Sequence, residues 1–231
     1  MKNDQHILIN GYKHIPYISE EENNEKSTLK KSEEFLENIN KRRSIRTFSD
    51  KPISKKVIEN IILSASTAPS GAHKQPWIFC AISNSELKTK IRIAAEEEEK
   101  VAYESRMSER WKKELERLGT DMHKPFLEEA PWLIIAFKKV YEKDENGEKQ
   151  NNYYVNESVG IACGFLISAI HNAGLATLTH IPSPMNFLSK ILNRPVNERA
   201  FILFPVGYSH SETYVPDIER KDLEEVSDFY E

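Results

Sequence analysis

Residues 157–174, ESVGIACGFLISAIHNAG, are apolar on nearly every face that a helix would present. Such a helix is stable only where other elements cover it, because it has no polar face to turn toward water. We therefore predict a central, buried helix that ends at Gly174, a residue suited to the left-handed conformation of a C-terminal cap. The rest of the chain must provide the layers around it.

Shorter apolar runs and helical patterns surround this segment. Strands are expected at residues 77–83, 132–139, 175–180 and 200–208. Helices are expected from Ser32 as N-cap to about 42, after Ser54 as N-cap to about 65, from Ser85 as N-cap to about 118, and at 186–192. Residues 1 to about 28 are polar and irregular. Because helices dominate and strands are few, the predicted fold class is α+β.

Composition argues against several classes of protein. Of the 231 residues, 39% are hydrophobic and 29% charged, and the net charge of −4 argues against a general nucleic-acid-binding protein. No apolar run approaches the roughly 20 residues that cross a bilayer, and the first residues do not resemble a signal peptide. Cys80 and Cys163 lie in apolar runs and are predicted to be reduced. We expect a cytoplasmic protein that binds neither nucleic acid nor membranes.

Common catalytic motifs are missing from the sequence. It contains no G-x-x-x-x-G-K-[ST] phosphate loop, no G-x-G-x-x-G opening a helix after a strand, and no G-x-S-x-G elbow. It also has no H-E-x-x-H and no paired C-x-x-C, so we expect no dedicated metal site. These absences weigh against the usual hydrolases, kinases and dinucleotide-binding folds.

The segment RRSIR places Arg42, Arg43 and Arg46 around Ser44. Guanidinium groups match phosphate oxygens with two parallel hydrogen bonds, and serine adds a neutral donor. The end of a helix also favours cations without any ligand, so the segment alone allows a phosphate site or a simple cluster of helix-terminal charge. Arg220, far away in sequence, is likewise either a second phosphate contact or a surface charge.

Further motifs extend over most of the chain. In order they are RRSIRTFSDKPIS, APSGAHKQPW, a charged helix with EEEEKVAYESRMSERW, ESVGIACGFLISAIHNAGL, LTHIP, LNRP and LFPVGY. From about Ser32 to Leu223 the chain resembles the nitroreductase flavoprotein superfamily and, within it, the iodotyrosine deiodinase branch. The membrane anchor of animal members has no counterpart here, so we expect similarity to the soluble bacterial members.

The resemblance implies a nitroreductase-like fold, with a small central sheet flanked by helices, in an interlocked homodimer that binds FMN at its interface. It divides the chain into an N-terminal arm at 1–31, an FMN-binding domain at 32–215 and a C-terminal tail at 216–231. A mobile lid is expected within the domain at about 86–124.

The resemblance also implies which residues contact FMN. These are Arg42, Arg43, Ser44, Arg46, Pro69, Ser70 and Arg220. Arg42 and Arg220 are the natural partners of the phosphate, which is dianionic near neutral pH. Arg46 would stabilise the negative charge of the reduced flavin and raise its reduction potential. Pro69 and Ser70 would supply a close backbone approach to the ring.

By the same resemblance, Glu99, Tyr103 and Lys124 form a clamp for a substrate zwitterion. An amino acid needs an anion for its ammonium group and a cation for its carboxylate, which Glu99 and Lys124 would provide, with the Tyr103 hydroxyl assisting. Taken alone, the run Glu96–Glu99 is typical of a solvated helix face. The backbone N–H of Ala72 is expected to meet the substrate phenolate. No side chain is implied as nucleophile or base.

One departure from the branch concerns the neighbourhood of flavin N5, where Thr179, His180 and Ile181 are expected. The branch commonly has threonine before the proline of LTHIP, and its hydroxyl is thought to bond N5 and favour one-electron transfer. Here that residue is Ile181, which cannot donate a hydrogen bond. Three explanations are open. A backbone N–H replaces the hydroxyl, Thr179 or His180 shifts into its place, or the protein prefers hydride-type reduction.

Three functions follow from this sequence. The first is FMN-dependent reductive dehalogenation of halotyrosines, which would convert iodotyrosine to tyrosine and iodide. The second is a nitroreductase or quinone reductase that uses NADPH or NADH. The third is a flavin-binding protein without turnover. The zwitterion clamp favours the first, and under that reading NADPH or NADH is also a candidate electron source.

Overall fold

The computed structural model describes residues 6–17 and 24–231. The described residues up to Lys41 form one compact unit, and residues 42–231 form a second. Within these described ranges, none of the helices has both the length and the apolar character needed to cross a bilayer.

The first unit contains a hairpin and a helix. Strands β1 (Ile7–Ile9) and β2 (Tyr12–His14) pair antiparallel. The turn between them has positive φ at Asn10 and Gly11, which matches the right-handed twist of a two-residue hairpin. Helix α1 spans Glu25–Asn40.

The predicted start of α1 at Ser32 is wrong. Asn24 is the N-cap, and its side-chain oxygen accepts a hydrogen bond from the backbone N–H of Ser27 at 2.9 Å. Ser32 lies inside the helix, where its hydroxyl donates to the Leu29 carbonyl. Glutamate and lysine, which form helices well, let the helix begin before the apolar residues that suggested the later start.

The second unit alternates helices and strands. Its helices are α2 (Lys55–Ala65), α3 (Ser85–Val101), α4 (Glu109–Glu116), α5 (Phe126–Glu129), α6 (Val155–Asn172) and α7 (Asn186–Ile191). Its strands are β3 (Trp77–Ile82), β4 (Trp132–Lys139), β5 (Tyr141–Lys143), β6 (Lys149–Asn151), β7 (Ala176–Thr177) and β8 (Glu198–Gly207). Short 3-10 helices cover Gly71–His73 and Leu223–Glu225, and a π-helical turn covers Ala102–Arg106.

A four-stranded antiparallel sheet in the order β3-β4-β8-β7 forms the centre of this unit. Alternate residues of β4 point to opposite faces. Ile134 and Ala136 pack with residues of α2 and α6, whereas Leu133, Ile135 and Phe137 pack with residues of α3, α5 and α7. All five are fully buried. The sheet therefore separates two helical layers, which confirms the predicted α+β arrangement.

Helix α6 is only half covered in the single chain. Ala162, Cys163 and Leu166 are buried against α2 and the sheet, but Ile161 and Phe165 on the opposite face are 46% and 43% exposed. Gly160 and Gly164 share that exposed face. The prediction of complete burial is wrong for one chain, because α2 and the sheet cover a single side of the helix.

The long helix predicted from Ser85 to about Leu118 is interrupted. Asn84, not Ser85, caps α3 by accepting from the N–H of Leu87 at 2.8 Å. The π-helical turn follows α3, Met107 is extended, and Ser108 caps a separate α4. The charged residues of this region continue through the break without any change in pattern, so composition gave no sign of it.

The predicted strand at 175–180 is also shorter than expected. Only Ala176–Thr177 pairs regularly with β8. His180 then forms an isolated bridge with Leu203, through hydrogen bonds of 2.8 and 3.0 Å. The other three predicted strands are confirmed as β3, β4 and β8.

Candidate active site

The arginine-rich segment is held along the edge of the sheet. Ser44 forms a parallel bridge with Thr177, and the N–H of Ile45 donates to the Thr177 carbonyl at 3.1 Å. A few residues later the N–H of Ser49 donates to the Tyr208 carbonyl at 2.9 Å. These backbone bonds anchor the segment from which Arg42, Arg43 and Arg46 project.

A cavity of about 270 Å³ lies between this segment and residues 215–220 near the C-terminus. We call it the arginine cavity; it is lined by Arg42, Arg43, Ser44, Arg46, Leu118, Val215, Pro216, Ile218, Glu219 and Arg220. The Arg43 guanidinium donates to the Pro216 carbonyl, and that of Arg220 donates to the Arg42 carbonyl at 2.9 Å. The two ends of the second unit are therefore joined around this cavity, and Arg42 and Arg220, the two predicted phosphate contacts, both line it.

Positive charge in the arginine cavity is only partly compensated. Burial lowers the pKa of Arg42 below its usual value, and the nearby charges of Arg220 and Arg43 lower this pKa further. Burial also lowers the pKa of Arg46. Within residues 6–17 and 24–231, no carboxylate forms an ion pair with Arg42 or Arg46. Half-buried guanidinium groups of this kind favour the binding of an anion.

A second cavity, of about 330 Å³, is lined in part by the residues predicted to form a lid. We call it the lid cavity. Charged and polar groups on its wall include Arg46, Glu98, Glu99, Tyr103, Arg106, Thr120, Lys124, Thr179, His180 and Ser183, and its apolar lining includes Met107, Trp111, Leu115, Phe126, Leu178 and Ile181. Because Arg46 lines both cavities, they are adjacent and share this cation.

Glu99 and Lys124 form a buried ion pair in the lid cavity, with 3.6 Å between the carboxylate oxygen and the ammonium nitrogen. The Lys124 ammonium also donates to Thr120 Oγ1 at 3.2 Å and to the Asp121 carbonyl. The ring centre of Tyr103 lies 6.0 Å from the same nitrogen. The structure thus brings together the three side chains predicted to hold a zwitterion.

Burial opposes the charges of this pair. It raises the pKa of Glu99 above its ordinary value of 4.5, an effect that the Lys124 ammonium partly offsets. Burial lowers the pKa of Lys124, with Glu99 and Asp121 acting in the other direction. It also raises the pKa of Tyr103, and the negative charge of Glu99 adds to this rise. An additional partner of opposite charge would therefore stabilise the charged forms of Glu99 and Lys124.

Thr179, His180 and Ile181, the residues expected near flavin N5, all line the lid cavity. His180 is 6% exposed, and burial together with the Lys124 charge lowers its pKa to about 3. Its ring is therefore neutral at physiological pH and stacks edge-on against Phe126 at 5.7 Å. Ile181 is 57% exposed at the cavity and offers no side-chain donor.

Pro69, Ser70 and Ala72 line neither cavity. They lie in the loop and 3-10 turn after α2, where Ser70 Oγ accepts from the N–H of Gln75 at 2.9 Å. Ala72 has φ of 48°, an uncommon conformation for a residue with a side chain. Within one chain, the predicted cofactor and substrate residues are therefore divided between the two adjacent cavities and this separate loop.

Two charged residues of the lid cavity were missed by sequence reasoning. Arg106 pairs with Glu98 at 2.9 Å, and it also donates to the Ser183 carbonyl. Residues eight apart are not neighbours on a regular α-helix, so only the π-helical turn after α3 allows this pair. Arg106 therefore links the π-helical turn to the segment that carries Thr179–Ile181.

Comparison with known proteins agrees with this arrangement. A sequence model of the Nitroreductase family matches residues 39–208. The chain is 56% identical over 208 residues to an iodotyrosine deiodinase of Haliscomenobacter hydrossis, covering 90% of this chain and 93% of that protein. It is 44% identical over 216 residues to iodotyrosine deiodinase 1 of Homo sapiens, covering 92% of this chain and 74% of the human protein.

A solved structure is also similar. It is a crystal structure of oxidised iodotyrosine deiodinase bound to FMN and 3-iodo-L-tyrosine, with a TM-score of 0.74 and 28% identity, covering 84% of this chain and all of that one. Sequence and fold lead to the same assignment: the chain belongs to the nitroreductase family and, within it, to the iodotyrosine deiodinases.

Proposed function

We propose that this chain is an FMN-dependent enzyme that reductively removes iodide from iodotyrosine and acts on related halotyrosines. The observation that carries the proposal is the buried Glu99–Lys124 pair, which lies in a cavity that shares Arg46 with the arginine cavity. One cavity suits an anionic cofactor, and the adjacent one suits an aromatic amino acid.

The residues present fit FMN. Its phosphate requires cations and neutral donors, and Arg42, Arg43, Ser44 and Arg220 converge on one cavity from distant parts of the chain. Arg46, half-buried without a carboxylate partner in the described ranges, is suited to the electron-rich ring system. When bound, FMN would supply the electrons for the reaction.

The clamp residues would exchange partners when substrate binds. The substrate carboxylate would accept hydrogen bonds from Lys124, and its ammonium group would donate to Glu99. The two side chains lie 3.6 Å apart and partly neutralise each other, but burial disfavours both charges. A zwitterion offers each of them a second opposite charge, so it is preferred over an uncharged phenol.

The lid would close over the substrate ring. Met107, Trp111 and Leu115 contribute apolar surface to the lid cavity, although Trp111 is 50% exposed in the single chain. An aromatic ring would give this surface a partner, and closure would exclude water from the charged groups. In the reaction the carbon–iodine bond breaks, iodide leaves, and the ring takes up two electrons and a proton. A reduced carrier such as NADPH or NADH would return the electrons.

A homodimer would complete the site. The exposed face of α6, with Gly160, Ile161, Gly164 and Phe165, is apolar and small enough at its glycines for close helix contact. The C-terminal residues also expose apolar side chains, at Tyr214, Ile218, Leu223, Val226, Phe229 and Tyr230. A second copy seated on these surfaces would bring its own Pro69, Ser70 and Ala72 toward the cofactor.

A cytoplasmic location is part of the same proposal. Cys80 and Cys163 are both free, and burial raises the pKa of the Cys163 thiol to about 12. A buried thiol such as that of Cys163 is unreactive, and free cysteines suit a reducing compartment.

Turnover of iodotyrosine tests the function directly. FMN-loaded protein reduced anaerobically with dithionite is mixed with iodotyrosine, and flavin reoxidation and free iodide are followed together. We expect iodide to appear in amounts equal to the flavin reoxidised, because two electrons break one carbon–iodine bond. Fast reoxidation by nitroaromatics, with no binding or deiodination of iodotyrosine, would instead establish a nitroreductase. Reoxidation by neither would leave a flavin-binding protein without turnover.

Ile181→Thr tests the departure near flavin N5. The new hydroxyl supplies a donor that isoleucine lacks, so we expect more one-electron reduced flavin, measured by absorbance during anaerobic reduction with a substrate analogue bound. Ile181→Val, which has nearly the same shape without a hydroxyl, is the control and should behave like the wild type. An unchanged amount in Ile181→Thr means that this position does not limit one-electron chemistry.

Phe165→Glu tests the homodimer. A charge on the exposed face of α6 should prevent association, because it would be buried without a partner. We expect a monomer by sedimentation velocity and loss of bound FMN. Val196→Glu places the same charge at a side chain that is 84% exposed in another part of the surface and should remain dimeric. A monomeric wild type, or a Phe165→Glu variant that stays dimeric with full FMN, contradicts the proposal.

A further inference from the structure

Helix α3 contacts the segment 124–130 through a row of charged side chains spaced along one face. The Lys88 ammonium donates to the carbonyls of Glu128 and Ala130 at 2.8 and 2.7 Å. One turn later, Arg92 Nε donates to Glu128 Oε2 at 2.6 Å. Positions three and four apart face the same way on a helix, so this row leads toward the lid cavity.

Glu96 is the next member of the row and reaches Lys124 itself. One of its carboxylate oxygens accepts from the backbone N–H of Lys124 at 2.7 Å, and the other accepts from Arg92 Nη1 at 2.6 Å. The side chains of Arg92 and Glu96 are 26% and 21% exposed, so water screens this contact only in part. Both carboxylate oxygens of Glu96 therefore accept part-buried hydrogen bonds, one from a guanidinium group and one from a backbone N–H.

Lys124 is thus held at both ends by α3. Glu96 binds its backbone, and Glu99, three residues further along the helix, lies 3.6 Å from its ammonium nitrogen. A lysine side chain has many rotamers, and its charge is directed to one place only when its backbone is fixed and its surroundings are tight. Lys124 is 3% exposed, which meets the second condition, and Glu96 provides the first.

Glu96 and Arg92 do not line the lid cavity, so they cannot touch a substrate there. We propose that Glu96, oriented by Arg92, is a positioning residue that fixes the Lys124 ammonium opposite the substrate carboxylate and thereby sets the preference for amino-acid substrates. This inference rests on the proposed function, since it assigns Lys124 the task of binding a carboxylate.

The role of Glu96 predicts a specific pattern of loss. A change at Glu96 should weaken the binding of substrates that carry a carboxylate. It should leave a halophenol, which has the reacting ring but no charged end, almost unaffected. A merely structural role in holding α3 against α5 would weaken both ligands alike.

The test uses FMN-loaded Glu96→Gln and Glu96→Ala with 3-iodotyrosine and 2-iodophenol. Dissociation constants come from flavin fluorescence, and kcat and KM from iodide release. Loss of a hydrogen bond to a buried group corresponds to about tenfold in affinity. We expect about a tenfold rise in the dissociation constant and KM for iodotyrosine in Glu96→Ala, and a smaller rise in Glu96→Gln, whose amide oxygen can still accept from Lys124. Values for iodophenol and kcat should remain within about twofold.

Glu114→Gln is the matched control. Glu114 also pairs with an arginine one turn away, Arg110, at 2.9 Å, but both side chains are exposed and remain outside the lid cavity. This variant should match the wild type with both ligands, because exposed pairs contribute little.

Two results would overturn the positioning role. One is iodotyrosine affinity within about twofold of the wild type in both Glu96 variants. The other is an equal loss for iodotyrosine and iodophenol. Failure of the proposed function looks different: the wild type itself would not prefer iodotyrosine over iodophenol, and Lys124→Met would not change that ratio.

Discussion

Partly compensated positive charge is the constraint on which the rest of the structure depends. Arg42 and Arg46 are half-buried, and no carboxylate in residues 6–17 and 24–231 pairs with either guanidinium. Buried cations of this kind lower stability unless an anion joins them. Their segment is nevertheless held by backbone bonds to Thr177 and Tyr208, at the edge of the central sheet. The fold thus tolerates a local cost that a bound anion would remove.

The lid cavity also contains buried charged groups, but here they are of both signs. Glu99 and Lys124 stand close enough to neutralise each other, yet burial still opposes the charge of each. Helix α3 carries Glu99, the acidic member of this pair. It also carries Glu96, which accepts a hydrogen bond from the backbone N–H of Lys124, the basic member. One helix therefore determines where both charges lie, and the π-helical turn that follows directs Arg106 toward Ser183 at the far wall.

Much of the fold could be predicted from the sequence, because apolar pattern and burial are directly related. The strands β3, β4 and β8 were found because their apolar runs are bounded by turn residues. The start of α1 and the break at Met107 were missed, since caps and a π-helical turn depend on backbone geometry within uniformly charged segments. The open face of α6 could not be found from apolarity, which does not distinguish a core from an interface.

For the candidate site, the resemblance supplied Glu99, Tyr103 and Lys124, and the structure brings them into one cavity. Periodicity alone would have left Glu96–Glu99 as a solvated face. The contact between Glu96 and Lys124 joins residues 28 apart in sequence, and no local pattern encodes it. Pro69, Ser70 and Ala72 were predicted to contact cofactor or substrate, but they line neither cavity of the single chain, and their predicted role depends on the proposed second copy.

Comparison of FMN with riboflavin, which has the same ring but no phosphate, measures the central claim most directly. Isothermal titration of the flavin-free protein with each ligand is expected to show FMN binding at least about a hundredfold more tightly, in keeping with several charge-assisted hydrogen bonds to one phosphate. Arg42→Gln should remove most of that difference while leaving riboflavin affinity unchanged. A protein that stays colourless with FMN, or binds both ligands equally well, would contradict the account.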